Sequence, residues 1–168
     1  MSVDNFRAHP WHGVPIGPQA PTTVTAYIEI VPTDTVKYEL DKLSGILKVD
    51  RPQQFSNVCP TLYGFIPQTL CADRVGQFCS ERTGRPGIVG DGDAIDICVL
   101  TEKTISHGDI LVRAIPIGGL RMIDRNEADD KIIAVMQDDA LHGRWRDISD
   151  CPASVIDRLK HYFLTYKD

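Results

Sequence analysis

The sequence predicts a mainly β protein with flanking helices, an α+β chain whose short strands close, or nearly close, into a barrel. Three observations carry this. Several segments alternate apolar and polar residues, turn signals punctuate them, and a C-terminal stretch repeats apolar residues every three or four positions.

The elements follow in order. Thr25 to Val31 places Ala26, Ile28 and Ile30 on one side and Tyr27, Glu29 and Val31 on the other, the period of a half-buried strand. In the next strand Val36, Tyr38 and Leu40 alternate with Lys37, Glu39 and Asp41, putting a cation and two carboxylates on one face. Leu43, Ser44 and Gly45 form the turn into a third strand, Ile46 to Arg51, which delivers Asp50 and Arg51 at its end. Further strands fall at 94–100, 110–117 and 131–136, punctuated by His107-Gly108 and Gly118-Gly119. Residues 71–90 hold Gly76, Gly84, Gly87 and Gly90 among several charges and read as an inserted surface loop or hairpin. Val155, Leu159, Tyr162, Phe163 and Tyr166 predict a helix over 152–166, with Asp150 as N-cap and Pro152 in its first turn.

Bulk properties narrow the function. A chain of 168 residues is a single-domain length, 1–168, and can bury a core without staples. No apolar run is long enough to span a bilayer, and Met1 to Gly13 lacks a basic region followed by an apolar stretch, so a cytoplasmic location is expected. Five cysteines, odd in number and without a CxxC pair, read as reduced thiols. A net charge of -5 argues against nucleic acid and anionic membranes as partners. His9, Trp11 and His12 have no metal-ligand spacing and read as packing or subunit-contact residues.

The chemistry concentrates at Asp91, Asp93 and Asp96, three carboxylates within six residues that run into an apolar strand. Each raises the cost of ionising its neighbours, and hard divalent cations bound through oxygen relieve that cost. Asp124 and Asp129 fall on predicted loops or strand ends, while Lys37, Arg51, Lys131 and Lys167 supply positive charge. Acids holding Mg²⁺ and bases holding phosphate oxygens suit a small, polyanionic, metal-complexed substrate.

DGDAIDI at 91–97 resembles the signature of the soluble, family I inorganic pyrophosphatases of bacterial type. YIEI with Glu29, VKYELD with Lys37, Glu39 and Asp41, VDR with Asp50 and Arg51, and YGFIPQTL opening at Tyr63 precede or surround it in the family's order. Asp124, then ADDK with Asp129 and Lys131, and HYFLTYK with Tyr166 and Lys167 complete the set. The resemblance implies a five-stranded OB-like closed barrel with the C-terminal helix packed on it, and hydrolysis of pyrophosphate to two orthophosphates without a covalent intermediate. It implies several Mg²⁺ per site, with Mn²⁺ or Zn²⁺ as possible substitutes, and a homo-oligomer, a hexamer in bacterial relatives.

Residue by residue, it places Asp91, Asp96 and Asp129 on the metal pair that activates water, with Asp96 shared. Asp124 and Asp129 would hold a further metal ion brought by the substrate, and Glu39 another through water. Glu29, Asp41 and Asp50 would support these ligands. Asp93 would be the base, and Lys37, Arg51, Tyr63, Lys131, Tyr166 and Lys167 would bind the phosphoryl groups. Two departures stand out: Cys59 precedes Pro60 where the family carries a phosphate-contacting tyrosine, and the chain ends at Asp168 without the longer tail of many relatives.

Rival readings stand beside this one. An EF-hand-like loop with Asp91, Asp93 and Glu102 fails because its sixth position is Asp96 rather than glycine. An OB-like nucleic-acid-binding protein is opposed by 7% aromatic content and an acidic balance, and a non-catalytic divalent-metal-binding OB-like protein is the alternative without turnover. A hydrolase of polyphosphate or a nucleotide keeps the same chemistry with another phosphoanhydride.

Overall fold

The alternating segments close into a barrel in the computed structural model, which describes residues 6–167; Met1 to Asn5, part of the segment read for a leader, and Asp168 lie outside the described residues. In chain order the elements are β1 (Val24–Ile30), β2 (Val36–Leu40), β3 (Leu47–Pro52), β4 (Leu62–Phe65), α1 (Asp73–Thr83), β5 (Val89–Gly90) and β6 (Asp96–Leu100). Then come β7 (Ile110–Leu120), β8 (Ile123–Asp124), β9 (Glu127–Ala128), β10 (Lys131–Met136), a 3-10 turn at Ile148–Asp150 and α2 (Ala153–Thr165). The barrel order is β1-β4-β6-β10-β7. Its one parallel pair is β6 with β10, in the register Lys131 opposite Asp96 through Val135 opposite Leu100.

Three packing clusters build the barrel and seat the hairpin and α2 on it. Val24, Ala26, Ile28, Leu62, Ile97, Val99, Ala114 and Ala134 form one. Ile30, Tyr63, Cys98, Ile133 and Val135 meet Leu159, Tyr162 and Phe163 of α2, which seats that helix on the barrel. Tyr27, Leu40, Phe65 and Ala94 anchor the β2–β3 hairpin. Covered on both faces, β1 is buried at all seven positions rather than half-buried as its alternation predicts.

Four other expectations change. The β2–β3 hairpin is a separate two-stranded sheet, and the barrel wall is completed by β4, from the YGF segment. The 71–90 insertion is not a loop or hairpin but carries helix α1 followed by β5. Its glycines misled because two serve the helix: a Cβ on Gly76 would lie 2.7 Å from the Ile88 carbonyl oxygen, and Gly84 caps α1 at φ 71°. Gly118-Gly119 is no turn, since β7 runs through it, and Gly118 makes room for Ile148, whose Cβ would be 2.8 Å from an added Cβ. Nor does Asp150 cap α2. Pro152 holds that position without a side-chain bond, and the Asp150 carboxylate instead accepts the backbone N–H groups of Arg146 and Asp147.

Candidate active site

A cleft of about 210 Å³ lies where the hairpin, the N-terminal ends of β6 and β10 and the end of α2 meet. β2 lines it with Lys37, Tyr38, Glu39 and Leu40, β4 presents Tyr63, and the turn into β6 contributes Asp91 and Asp93, with Asp96 opening the strand. Asp124 and Glu127 come from the β8–β9 sheet, Asp129 and Lys131 from the entry to β10, and Tyr166 and Lys167 from the exit of α2. Residues separated by more than 130 positions along the chain thus share one cavity, with acids and bases interleaved.

Lys131 is its centre. The side chain is 1% exposed, and its Nζ donates to Asp96 at 2.6 Å, to Asp129 at 2.8 Å and to the Tyr63 hydroxyl at 3.0 Å. The ammonium also lies 5.3 Å from the Phe163 ring centroid. Burial works against its charge, but Asp96 and Asp129 outweigh that and hold it protonated beyond its ordinary range. Burial likewise raises the Asp96 carboxyl, with Lys131 pulling the other way, and raises Asp91, whose carboxylate accepts the Asp93 N–H at 3.0 Å.

Around this centre the remaining charges pair. Lys37 donates to Asp50 at 2.9 Å, which lowers the Asp50 carboxyl. Lys167 contacts Asp124 and lowers it, and Lys42 contacts Asp93. Arg51 does not line the cleft; it braces its wall, donating to the Tyr166 carbonyl oxygen at 2.7 Å with its guanidinium 5.5 Å from that ring. Asp41 also stands outside the cleft, its carboxylate accepting the Ser44 N–H and hydroxyl to fix the hairpin turn.

Glu29 is buried at 7% exposure and accepts the Leu40 N–H at 2.6 Å, which ties β1 to the end of β2. Burial pushes its carboxyl up to about 8. Unfolded, the same group ionises in the ordinary carboxylate range. Between that range and pH 8 the folded chain keeps a proton the unfolded chain has lost, so stability falls as pH rises through the window and levels above it. Glu29→Gln retains an acceptor for Leu40 and cannot ionise. With chelator present it is expected to exceed the wild type at pH 8 by about 1–3 kcal/mol, the gap closing towards about pH 5. Denaturant melts at the two pH values measure this, and parallel profiles for the two proteins would show that Glu29 does not titrate.

Sequence reasoning missed Lys42, which lies past the end of β2, where strand period no longer assigns a face. It also left Trp11 as a packing residue. Trp11 donates its indole N–H to the Thr69 carbonyl oxygen at 2.8 Å and lines the cleft, while His9 stacks on His12 and hydrogen-bonds the Lys42 carbonyl at 2.7 Å. Cys59 lies away from the cleft, 1% exposed in the cluster beneath α2, and burial pushes its thiol up to about 11. A tyrosine there would have to displace packed side chains, so Cys59→Tyr tests packing before it tests substrate contact.

Comparison with known proteins places this arrangement. The sequence model of the "Inorganic pyrophosphatase" family matches residues 26–168. An inorganic pyrophosphatase of Chlamydia muridarum is 57% identical over 159 residues, covering 95% of this chain and 76% of the relative. A soluble inorganic pyrophosphatase of Oryza sativa subsp. indica is 41% identical over 167 residues, covering 99% and 69%. The crystal structure of the inorganic pyrophosphatase of Thermus thermophilus superposes with a TM-score of 0.78 at 30% identity, covering 96% of this chain and 80% of that one. A closed barrel with this cleft at its edge, matched in sequence from β1 to the C-terminus, places the chain in the inorganic pyrophosphatase family.

Proposed function

We propose that the chain hydrolyses inorganic pyrophosphate, taken as its Mg²⁺ complex, to two orthophosphates. The observation that carries this is the convergence of Asp91, Asp93, Asp96, Asp124 and Asp129 with Lys37, Lys131 and Lys167 in one small cleft. The donor set fits Mg²⁺. Among the described residues no three of His, Cys, Asp or Glu close on a single point. An ion that takes one or two carboxylates and keeps water and phosphate oxygens as its other ligands needs no such cage. Asp96 and Asp129 already share one cation, the Lys131 ammonium. Asp91, Asp96 and Asp129 would hold the catalytic ions, Asp124 and Glu39 those that come with substrate; Mn²⁺ or Zn²⁺ could substitute. Bound there, the metal supplies Lewis acidity and lowers the pKa of water.

The chain's own groups do the rest. Lys37, Lys131 and Lys167, with the hydroxyls of Tyr63 and Tyr166, bind the phosphoryl oxygens and fix the reacting phosphorus. Asp93 accepts the proton of the attacking water as the new P–O bond forms and the bridging P–O bond breaks. The cations neutralise the charge left on the departing phosphate. Asp93→Asn is expected to keep metal and substrate binding but lose turnover by about 10²-fold or more. Near-normal kcat in that variant would remove Asp93 from the mechanism.

One feature favours pyrophosphate over polyphosphate or a nucleotide: a cleft of about 210 Å³, small and lined by interleaved acids and cations. Orthophosphate release from pyrophosphate, ATP and tripolyphosphate, with Mg²⁺ and with excess chelator, tests the reading. Metal-dependent release confined to pyrophosphate supports it, and release from ATP at a comparable rate would replace it. A cytoplasmic homo-oligomer, a hexamer by analogy with bacterial members, completes the proposal; no helix among the described residues is long and apolar enough to cross a membrane.

A further inference from the structure

An ammonium has three N–H donors, and Lys131 commits all three, to Asp96, Asp129 and Tyr63. A phosphate oxygen can therefore reach Lys131 only if one of these contacts is surrendered. Bringing a phosphate beside both carboxylates would also gather three anions around one buried cation. Among the described residues no other ammonium or guanidinium contacts Asp96 or Asp129: Lys37 is on Asp50, Lys42 on Asp93, Lys167 on Asp124 and Arg121 on Asp130. Something else must neutralise Asp96 and Asp129 before Lys131 is free to turn to substrate.

We propose that Lys131 and a divalent cation exchange places on Asp96 and Asp129, so that metal loading releases Lys131 to the phosphate. Substrate recognition by this lysine then follows metal binding, and phosphate that arrives without metal meets a cation already spent. The inference rests on reading Asp96 and Asp129 as metal carboxylates. It adds a positioning role: the lysine keeps the two acids together until the metal takes them. Lys131 is suited to this because the Phe163 ring, 5.3 Å from its Nζ, provides a face that does not compete for its protons.

The test uses the full chain labelled with ¹⁵N-lysine and reads side-chain ammonium resonances at neutral pH. Without metal, one ammonium should be strongly protected from exchange with water, the buried Lys131. Saturating Mg²⁺ should shift this resonance and remove its protection, and orthophosphate added next should restore protection at a new shift. The wild-type arm needs no variant. Calorimetry supplies a second readout. Mg²⁺ should tighten orthophosphate binding to the wild type, and Lys131→Met should reduce that coupling factor by about tenfold, the share of one charge-assisted contact. If Mg²⁺ binds, as shown by loss of its heat in Asp96→Asn, yet the ammonium stays protected or the coupling is unchanged in Lys131→Met, the exchange is overturned while the reading of the site survives. Absence of saturable Mg²⁺ binding to the wild type would overturn both.

Discussion

Asp96→Asn should reduce pyrophosphate turnover by about 10³-fold at saturating Mg²⁺, the scale of removing a central electrostatic contact from a preorganised site. The substitution keeps the shape and an acceptor oxygen but deletes the charge. It acts twice, weakening the carboxylate set and leaving Lys131 with Asp129 as its sole anionic partner. Because Lys131 remains half-paired in a buried position, a further cost of about 1–3 kcal/mol in stability is expected. Steady-state kinetics and denaturant melts of the same sample separate the two effects. Loss of activity with an unchanged melt would assign Asp96 to chemistry alone, and the reverse would make the Asp96–Lys131 contact a structural bond.

Gly64→Ala should be the most damaging single change to the fold. Gly64 sits in β4 opposite Ile28 on one side and Ile97 on the other. A Cβ there would lie 1.8 Å from the Tyr27 carbonyl oxygen, a backbone atom that cannot swing away. Relief requires β4 to separate from β1, which opens the barrel at the strand that carries Tyr63. The expected loss exceeds about 4 kcal/mol, the range reserved for failures of core packing, and corresponds to a fall in Tm of roughly 10 °C or more for a chain of this size. Thermal melts decide this. A Tm within a few degrees of the wild type would mean that the β1–β4 ladder tolerates a shift the geometry does not allow.

How much was legible in the sequence depends on the range of the interaction. Strand period and helical spacing are local, and they located six strands and α2 to within a few residues. Asp91, Asp93 and Asp96 were visible because their charges crowd within one turn. Long-range packing was not legible. Nothing local says that β1 is covered on both faces, that β4 rather than the hairpin completes the barrel wall, or that Gly76 is small because Ile88 and Gly90 press against it. Lys42 escaped because turn residues have no period, and the burial of Cys59 depends on α2 arriving from a hundred residues away.

The parallel register of β6 and β10 has a practical bearing on every experiment at this site. Because Asp96 and Lys131 face each other as neighbours in the ladder, the bond that holds the Lys131 ammonium is also a stitch in the barrel's parallel seam. A slip of one residue in either strand would turn that strand's side chain to the opposite face and part the pair. With the proposed roles of this pair, catalytic competence and correct seam alignment become one structural event, and an activity assay on refolded material doubles as a count of correctly threaded molecules. It also means that loss-of-function variants at either position should never be scored without a melt beside them, since part of what they lose is the fastening of the fold itself.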